Sequence, residues 1–152
     1  MNIRQSALAQ PPVNKLVAQF MDFYSDFSLE ALNQLDEIHT QDIEFCDPVH
    51  SVYGGLALKS YMRKMALNLE HYKIRYLDSI KGDNSAYFTW EMDYRHKSIG
   101  GGKMITLRGM THIKYTTKIY YHEDSYDLGA MVYDHLPVLG ALTGKIKKRM
   151  TK

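Results

Sequence analysis

Lys118 to Asp134 reads K-I-Y-Y-H-E-D-S-Y-D-L-G-A-M-V-Y-D, and its first half alternates as a strand does. Alternation sets Tyr120, His122, Asp124 and Tyr126 on one face, with Ile119, Tyr121, Glu123 and Ser125 on the other. A face that carries His, Asp and Tyr together makes chemical sense if it lines a cavity, because all three can then reach one small molecule. An edge strand with a wet polar side would give the same pattern. The residues upstream separate the two.

Working back from this strand, Ile105, Leu107, Thr111, Ile113 and Tyr115 alternate with Thr106, Arg108, His112 and Lys114. Gly100-Gly101-Gly102 is a flexible hairpin loop. Ahead of it, Ala86, Phe88, Trp90, Met92 and Tyr94 form the apolar face of a long strand, opposite Thr89, Glu91, Asp93 and Arg95. Gly82-Asp83-Asn84 is a turn, and Lys73 to Ile80 alternates again. Everything before about His71 is helical, except for one short strand. Leu16, Val17, Phe20, Met21 and Tyr24 recur at helical spacing. Ser28 is an N-cap for a second helix carrying Leu29, Leu32, Leu35 and Ile38. Ile43 to Pro48 is a short strand stopped by its proline. Gly54-Gly55 opens a third helix with Leu58, Tyr61, Met62, Met65 and Leu69 on one face.

After the His-Asp-Tyr strand, Leu128 to Tyr133 can coil into a helical turn that Asp127 caps. Pro137 interrupts, and Val138 to Met150 can form a last helix. The expected organisation is one α+β domain over residues 13–135, with helices first and a curved antiparallel sheet after them. A flexible arm, residues 1–12, precedes it, and a basic helical extension, residues 136–152, follows.

Composition narrows the function classes. The chain has 152 residues, 45% hydrophobic and 24% charged, as in an ordinary globule. A net charge of +2 is too small to argue for nucleic acid. Cys46 is the only cysteine, so no intrachain disulfide can form, which suits a reducing cytoplasm. No apolar run approaches the roughly 20 residues of a membrane span, and the N-terminal stretch lacks the apolar core of a signal peptide. The expected address is cytoplasmic. His50, His71, His96 and His135 show no ligand spacing, so neither a metal nor another cofactor is expected. The tail residues Lys145, Lys147, Lys148, Arg149 and Lys152 suit a solvated helix end. Contact with phosphate or an anionic lipid surface is the alternative.

The layout of three helices, a short strand ending in Asp-Pro, and four long antiparallel strands resembles the nuclear-transport-factor-2-like, or SnoaL-like, superfamily. The resemblance covers about residues 13–135 and implies a cone-shaped sheet packed on three helices, the cystatin-like roll. I-E-F-C-D-P-V resembles the segment that carries the catalytic aspartate of ketosteroid isomerases, which falls on Asp47. K-I-Y-Y-H-E-D-S-Y-D is similar to a segment of limonene-epoxide hydrolases whose catalytic acid falls on Asp124. SnoaL-type polyketide cyclases also use an acid late in this strand. The departures count too. The isomerases' oxyanion donors fall on Phe20 and Thr111, and the hydrolases' Arg-x-Asp falls on Met92 and Tyr94. A register slip of one residue would bring Glu91 and Asp93 inward instead, and would expose Trp90.

The residues expected to do chemistry are Asp124 and Asp47, with His122 holding Asp124 ionised or passing it a proton. Asp47, beside Pro48, reads equally as the cap of a turn. Phe20, Phe45, Tyr61, Trp90, Met92, Thr111, Ile113 and Tyr126 are the expected walls of an apolar pocket. The expected function is general acid–base catalysis on a small hydrophobic molecule, by an isomerase, cyclase or hydrolase. A non-catalytic ligand-binding or assembly module on the same fold is the alternative. The resemblance further implies a homodimer, paired through the outer sheet face that carries Thr106, Met110 and His112.

Overall fold

The structure, a computed structural model, describes residues 12–150. Residues 1–11 of the expected arm lie outside the described residues, and Pro12 already belongs to the first helix. That helix, α1 (Pro12–Ser25), buries Leu16, Val17, Phe20, Phe23 and Tyr24. Their i, i+4 and i+7 spacing puts them on one stripe.

The expected second helix is split. Ser28 Oγ accepts a hydrogen bond from the Ala31 amide at 3.2 Å and caps a 3-10 turn, Ala31–Gln34. The turn leads into α2 (Leu35–Ile38). Leu32, Leu35 and Ile38 are buried as expected, but Leu29 stays outside, 41% exposed. The helix stops because the His39 ring takes the Leu35 carbonyl at 3.1 Å with Nδ1 and the chain leaves as strand.

Strand β1 (His39–Cys46) begins earlier than the sequence suggested and pairs with β2 (Ser51–Tyr53), a strand the pattern had not signalled. Gly54, at a φ of +93° that side chains rarely tolerate, turns the chain into α3 (Gly55–Asn68). From α3 the chain passes directly into β3 (Leu69–Lys81), followed by β4 (Ser85–His96), β5 (Ile105–Tyr115) and β6 (Ile119–Tyr126). The six strands form one sheet in the order β2-β1-β6-β5-β4-β3, with β1 and β6 parallel and the other neighbours antiparallel. The mixed α+β fold therefore matches the expected class, with a curved sheet that does not close.

The inward faces of β4 and β5 follow the expected alternation. Ala86, Phe88, Trp90 and Tyr94 are buried on β4, as are Ile105, Leu107, Thr111, Ile113 and Tyr115 on β5. Glu91 and Asp93 point outward and bind Arg75, while Thr106, Met110 and His112 lie on the same outer face. The register slip that would have turned the two acids inward is not used. One detail of β6 corrects the sequence reading. Lys114 pairs with Tyr121 and Tyr115 with Ile119, so Tyr120 is the extra residue of a bulge. The bulge sends Ile119 into the core and leaves Tyr120 exposed, and strict alternation resumes only at Tyr121.

Beyond β6, Asp127 Oδ1 accepts from the Ala130 amide at 3.1 Å and caps α4 (Leu128–Met131). The Tyr94 hydroxyl donates to the Met131 carbonyl at 2.7 Å and ties α4 to the sheet. A last helix, α5 (Pro137–Met150), carries Asp134 bonds to Thr143 at 2.7 Å and Lys147 at 2.5 Å on one side and exposes Leu142 and Ile146 on another.

His39 makes a testable contribution to this fold. Its ring is only 2% exposed, with the Tyr24 hydroxyl 3.4 Å from Nε2. Burial, with the nearby His122 adding to it, pushes the imidazole down to about 3. An unfolded chain binds the proton near its ordinary pKa of about 6.5. The stability from neutral His39 is therefore complete above that value and lost as pH falls from there towards 3. Denaturant titrations should show about 2 kcal/mol lost from this group between pH 7 and pH 5. His39→Gln should flatten the slope. An equally steep slope in the variant would put the acid sensitivity elsewhere.

Candidate active site in the cone

The concave face of the sheet, α1 and α3 enclose a cavity of about 600 Å³. Aromatic side chains make up a large share of its walls. Phe20 and Tyr24 come from α1, Phe45 from β1, Tyr61 from α3, Tyr72 and Tyr76 from β3, Trp90 from β4 and Tyr126 from β6.

One polar chain crosses the floor, and strand register builds it. Trp90 lies opposite Gly109 in the β4–β5 pair, and a Cβ on Gly109 would fall 2.3 Å from the indole ring. The missing side chain lets the indole lie across β5, where Nε1–H donates to Thr111 Oγ1 at 2.8 Å. Thr111 in turn lies opposite Asp124 in the β5–β6 pair. An indole nitrogen can only donate, so Thr111 accepts from it and donates its own hydroxyl to Asp124 Oδ1, at 2.5 Å. His122 Nε2 reaches the same oxygen at 3.0 Å.

Asp124 is thus held by one oxygen only. Its Oδ2 has no hydrogen-bond partner among the described residues, and the side chain, 21% exposed, faces the cavity. His122 behind it is 1% exposed, with the rings of Phe20, Tyr24 and Phe45 centred 5.1, 5.1 and 4.9 Å from its own. Its Nδ1 is buried without a partner. A ring protonated on both nitrogens would strand a donor there, so the tautomer carrying its proton on Nε2 fits this setting.

Asp47 is occupied on both oxygens. Oδ1 accepts from the amides of Val49 and His50, each at 2.7 Å, which is the turn-capping arrangement. Oδ2 accepts from the Tyr61 hydroxyl at 2.5 Å. Burial and then this bond push the Tyr61 phenol far above its ordinary range. Of the two aspartates singled out by sequence, Asp124 is therefore the one with an oxygen to offer.

Phe20, Phe45, Tyr61, Trp90, Met92, Thr111 and Tyr126 all line the cavity. Ile113 does not: it is fully buried in the core and gives the cavity no surface. Phe20 offers no donor, and the Thr111 hydroxyl is spent on Asp124. What the sequence reading passed over are Tyr72 and Tyr76, which share the inward face of β3 with Ile74, and Tyr24. The hydroxyls of Tyr72, Tyr76 and Tyr126 have no partner among the described residues. Burial pushes all three phenols up, and Asp124 adds to each shift, so they remain O–H donors.

Residues 17–119 match the SnoaL-like domain family. No curated protein matches the chain by sequence. Solved structures share the fold at low identity. A nuclear-transport-factor-2-like protein of unknown function from Burkholderia pseudomallei superposes with a TM-score of 0.70 at 11% identity, over 80% of this chain and 95% of that one. Another such protein, from an Exiguobacterium species, gives 0.62 at 18%, over 74% and 98%. A protein described as a SnoaL-like polyketide cyclase, from Shewanella putrefaciens, gives 0.66 at 16%, over 81% and 95%.

Proposed function

Because the chain belongs to the SnoaL-like domain family, we propose that its cavity takes a small, largely apolar molecule and that Asp124 moves a proton on it. The observation that carries this reading is the half-used carboxylate, with Oδ1 anchored by Thr111 and His122 and Oδ2 open to the cavity. Two donors on one oxygen fix the carboxylate's orientation before any ligand arrives, which is what a general base needs. In the proposed step, Oδ2 removes a proton from carbon, and the electron pair stays on the ligand. The proton then returns to a different carbon, so no oxidant or reductant is consumed. The free hydroxyls of Tyr72, Tyr76 and Tyr126 are placed to donate to an oxygen on which charge develops.

The test is exchange of carbon-bound hydrogen. Small carbonyl compounds incubated with the protein in D2O should lose C–H signal faster than in buffer, followed by NMR. A panel that binds but never exchanges would favour the non-catalytic module on the same fold. Binding itself has a built-in reporter, since Trp90 is the only tryptophan and lines the cavity. Any ligand filling the cone should change its emission, and Trp90→Phe should lose the signal. A saturating ligand that leaves emission unchanged would not be in this cavity.

A further inference from the structure

We propose that the molecule bound here carries a positive charge: an organic ammonium ion with an apolar body. The inference rests on the cavity reading above and names the chemical class that reading leaves open.

Two carboxylates, Asp47 and Asp124, line the cavity. The basic lining groups are weaker counterparts. Lys64 is exposed, so its charge is spent largely in water. His122 is sealed behind aromatic rings with an unpartnered Nδ1, and the neutral ring fits it. His50 stacks on Tyr61 with ring centres 5.5 Å apart and gives Nδ1 to its neighbour's carbonyl at 2.9 Å. His96, the other lining histidine, accepts from the Ser98 amide at 3.0 Å through Nδ1, so that nitrogen carries no proton. The interior is therefore short of positive charge.

The rest of the wall suits a cation. Aromatic faces carry negative charge density and attract cations, most strongly where water is excluded. Trp90, Tyr72, Tyr76 and Tyr126 put such rings in the walls of the cavity that Asp124 faces. An anion would meet both carboxylates without compensation, and a neutral hydrocarbon would leave Oδ2 desolvated and unpaired. A cation satisfies the rings and the carboxylate together. It also serves the proposed chemistry, because a positive nitrogen makes a neighbouring C–H a stronger acid.

Three probes of nearly equal shape test the idea on the full chain: phenyltrimethylammonium, its uncharged carbon isostere tert-butylbenzene, and benzenesulfonate. Binding is read from Trp90 emission and by calorimetry. The cation should bind at least about tenfold more tightly than the isostere. Asp124→Asn should erase that preference while leaving isostere affinity in place. The comparison on the unmodified chain needs no variant, so a folding defect in Asp124→Asn cannot hide the answer. If the isostere binds as well as the cation, or the sulfonate binds best, the charge inference is wrong and the ligand-binding cavity stands. If none of the three binds, the cavity reading falls with it.

Discussion

Gly109→Ala should destabilise the protein by about 3 kcal/mol, the upper part of the range for overpacking a closed core. The new Cβ would sit 2.3 Å from two atoms of the Trp90 ring and 2.9 Å from the Ser125 carbonyl oxygen. Neither neighbour can yield cheaply. The indole is 3% exposed and bonded to Thr111, and Ser125 belongs to the β5–β6 pair. For a domain of this length the loss corresponds to a fall in Tm of roughly 10 °C. The mechanism predicts strong non-additivity. Trp90→Leu removes the atoms that collide, so Gly109→Ala should cost far less in that background than in the native chain. Equal costs in both backgrounds would mean that Trp90 does not lie over Gly109, and the polar chain to Asp124 would lose its first link.

Asp124→Asn should slow proton transfer by on the order of a hundredfold or more, the usual contribution of a positioned base. It should leave the fold nearly intact, with less than about 1 kcal/mol lost. The asymmetry follows from the geometry. Asparagine can keep its carbonyl oxygen where Oδ1 now accepts from Thr111 and His122. Its amide replaces Oδ2, the oxygen that holds nothing in place and would take the proton. Exchange of ligand C–H in D2O measures the first effect and thermal unfolding the second. A variant that melts far below the native chain but exchanges normally would make Asp124 a structural group and end the catalytic reading.

Much of this arrangement was legible because strands enforce simple arithmetic. Once Trp90 points inward, Phe88, Met92 and Tyr94 do too, and the alternating residues of β5 follow. His122, Asp124 and Tyr126 could be placed together on the same ground. The arithmetic fails where the register breaks. Nothing in K-I-Y-Y-H announces that Tyr120 is bulged out, because the bulge arises from how β6 pairs with β5. The second helix kept the apolar spacing of Leu32, Leu35 and Ile38 but not its continuity, since Ala31–Gln34 is a 3-10 turn and only Leu35–Ile38 is α-helical.

In the site, spacing could suggest that Asp47 and Asp124 matter, but not which one is free. That depends on the Tyr61 hydroxyl and two turn amides, partners set by tertiary packing and by the turn after Pro48. Gly109 did carry a readable signal. A glycine at an inward position of a long strand marks a close approach by something large. Tyr72 and Tyr76 were similarly readable from the alternation of β3 with Ile74. Tyr72 went unplaced because the strand had been traced only from Lys73; Tyr76 lay inside that trace, but no face of the strand was assigned to the cavity.

The most direct measurement is a crystal structure of the protein with a ligand selected by the Trp90 response. The ligand should lie inside the cone, its charged or reacting atom roughly 3 to 4 Å from Asp124 Oδ2, and its body against the rings of Trp90 and Tyr76. Asp47 should remain bonded to Tyr61. A ligand seated elsewhere, with Asp124 Oδ2 facing only water, would rule out Asp124 as the group that meets the ligand.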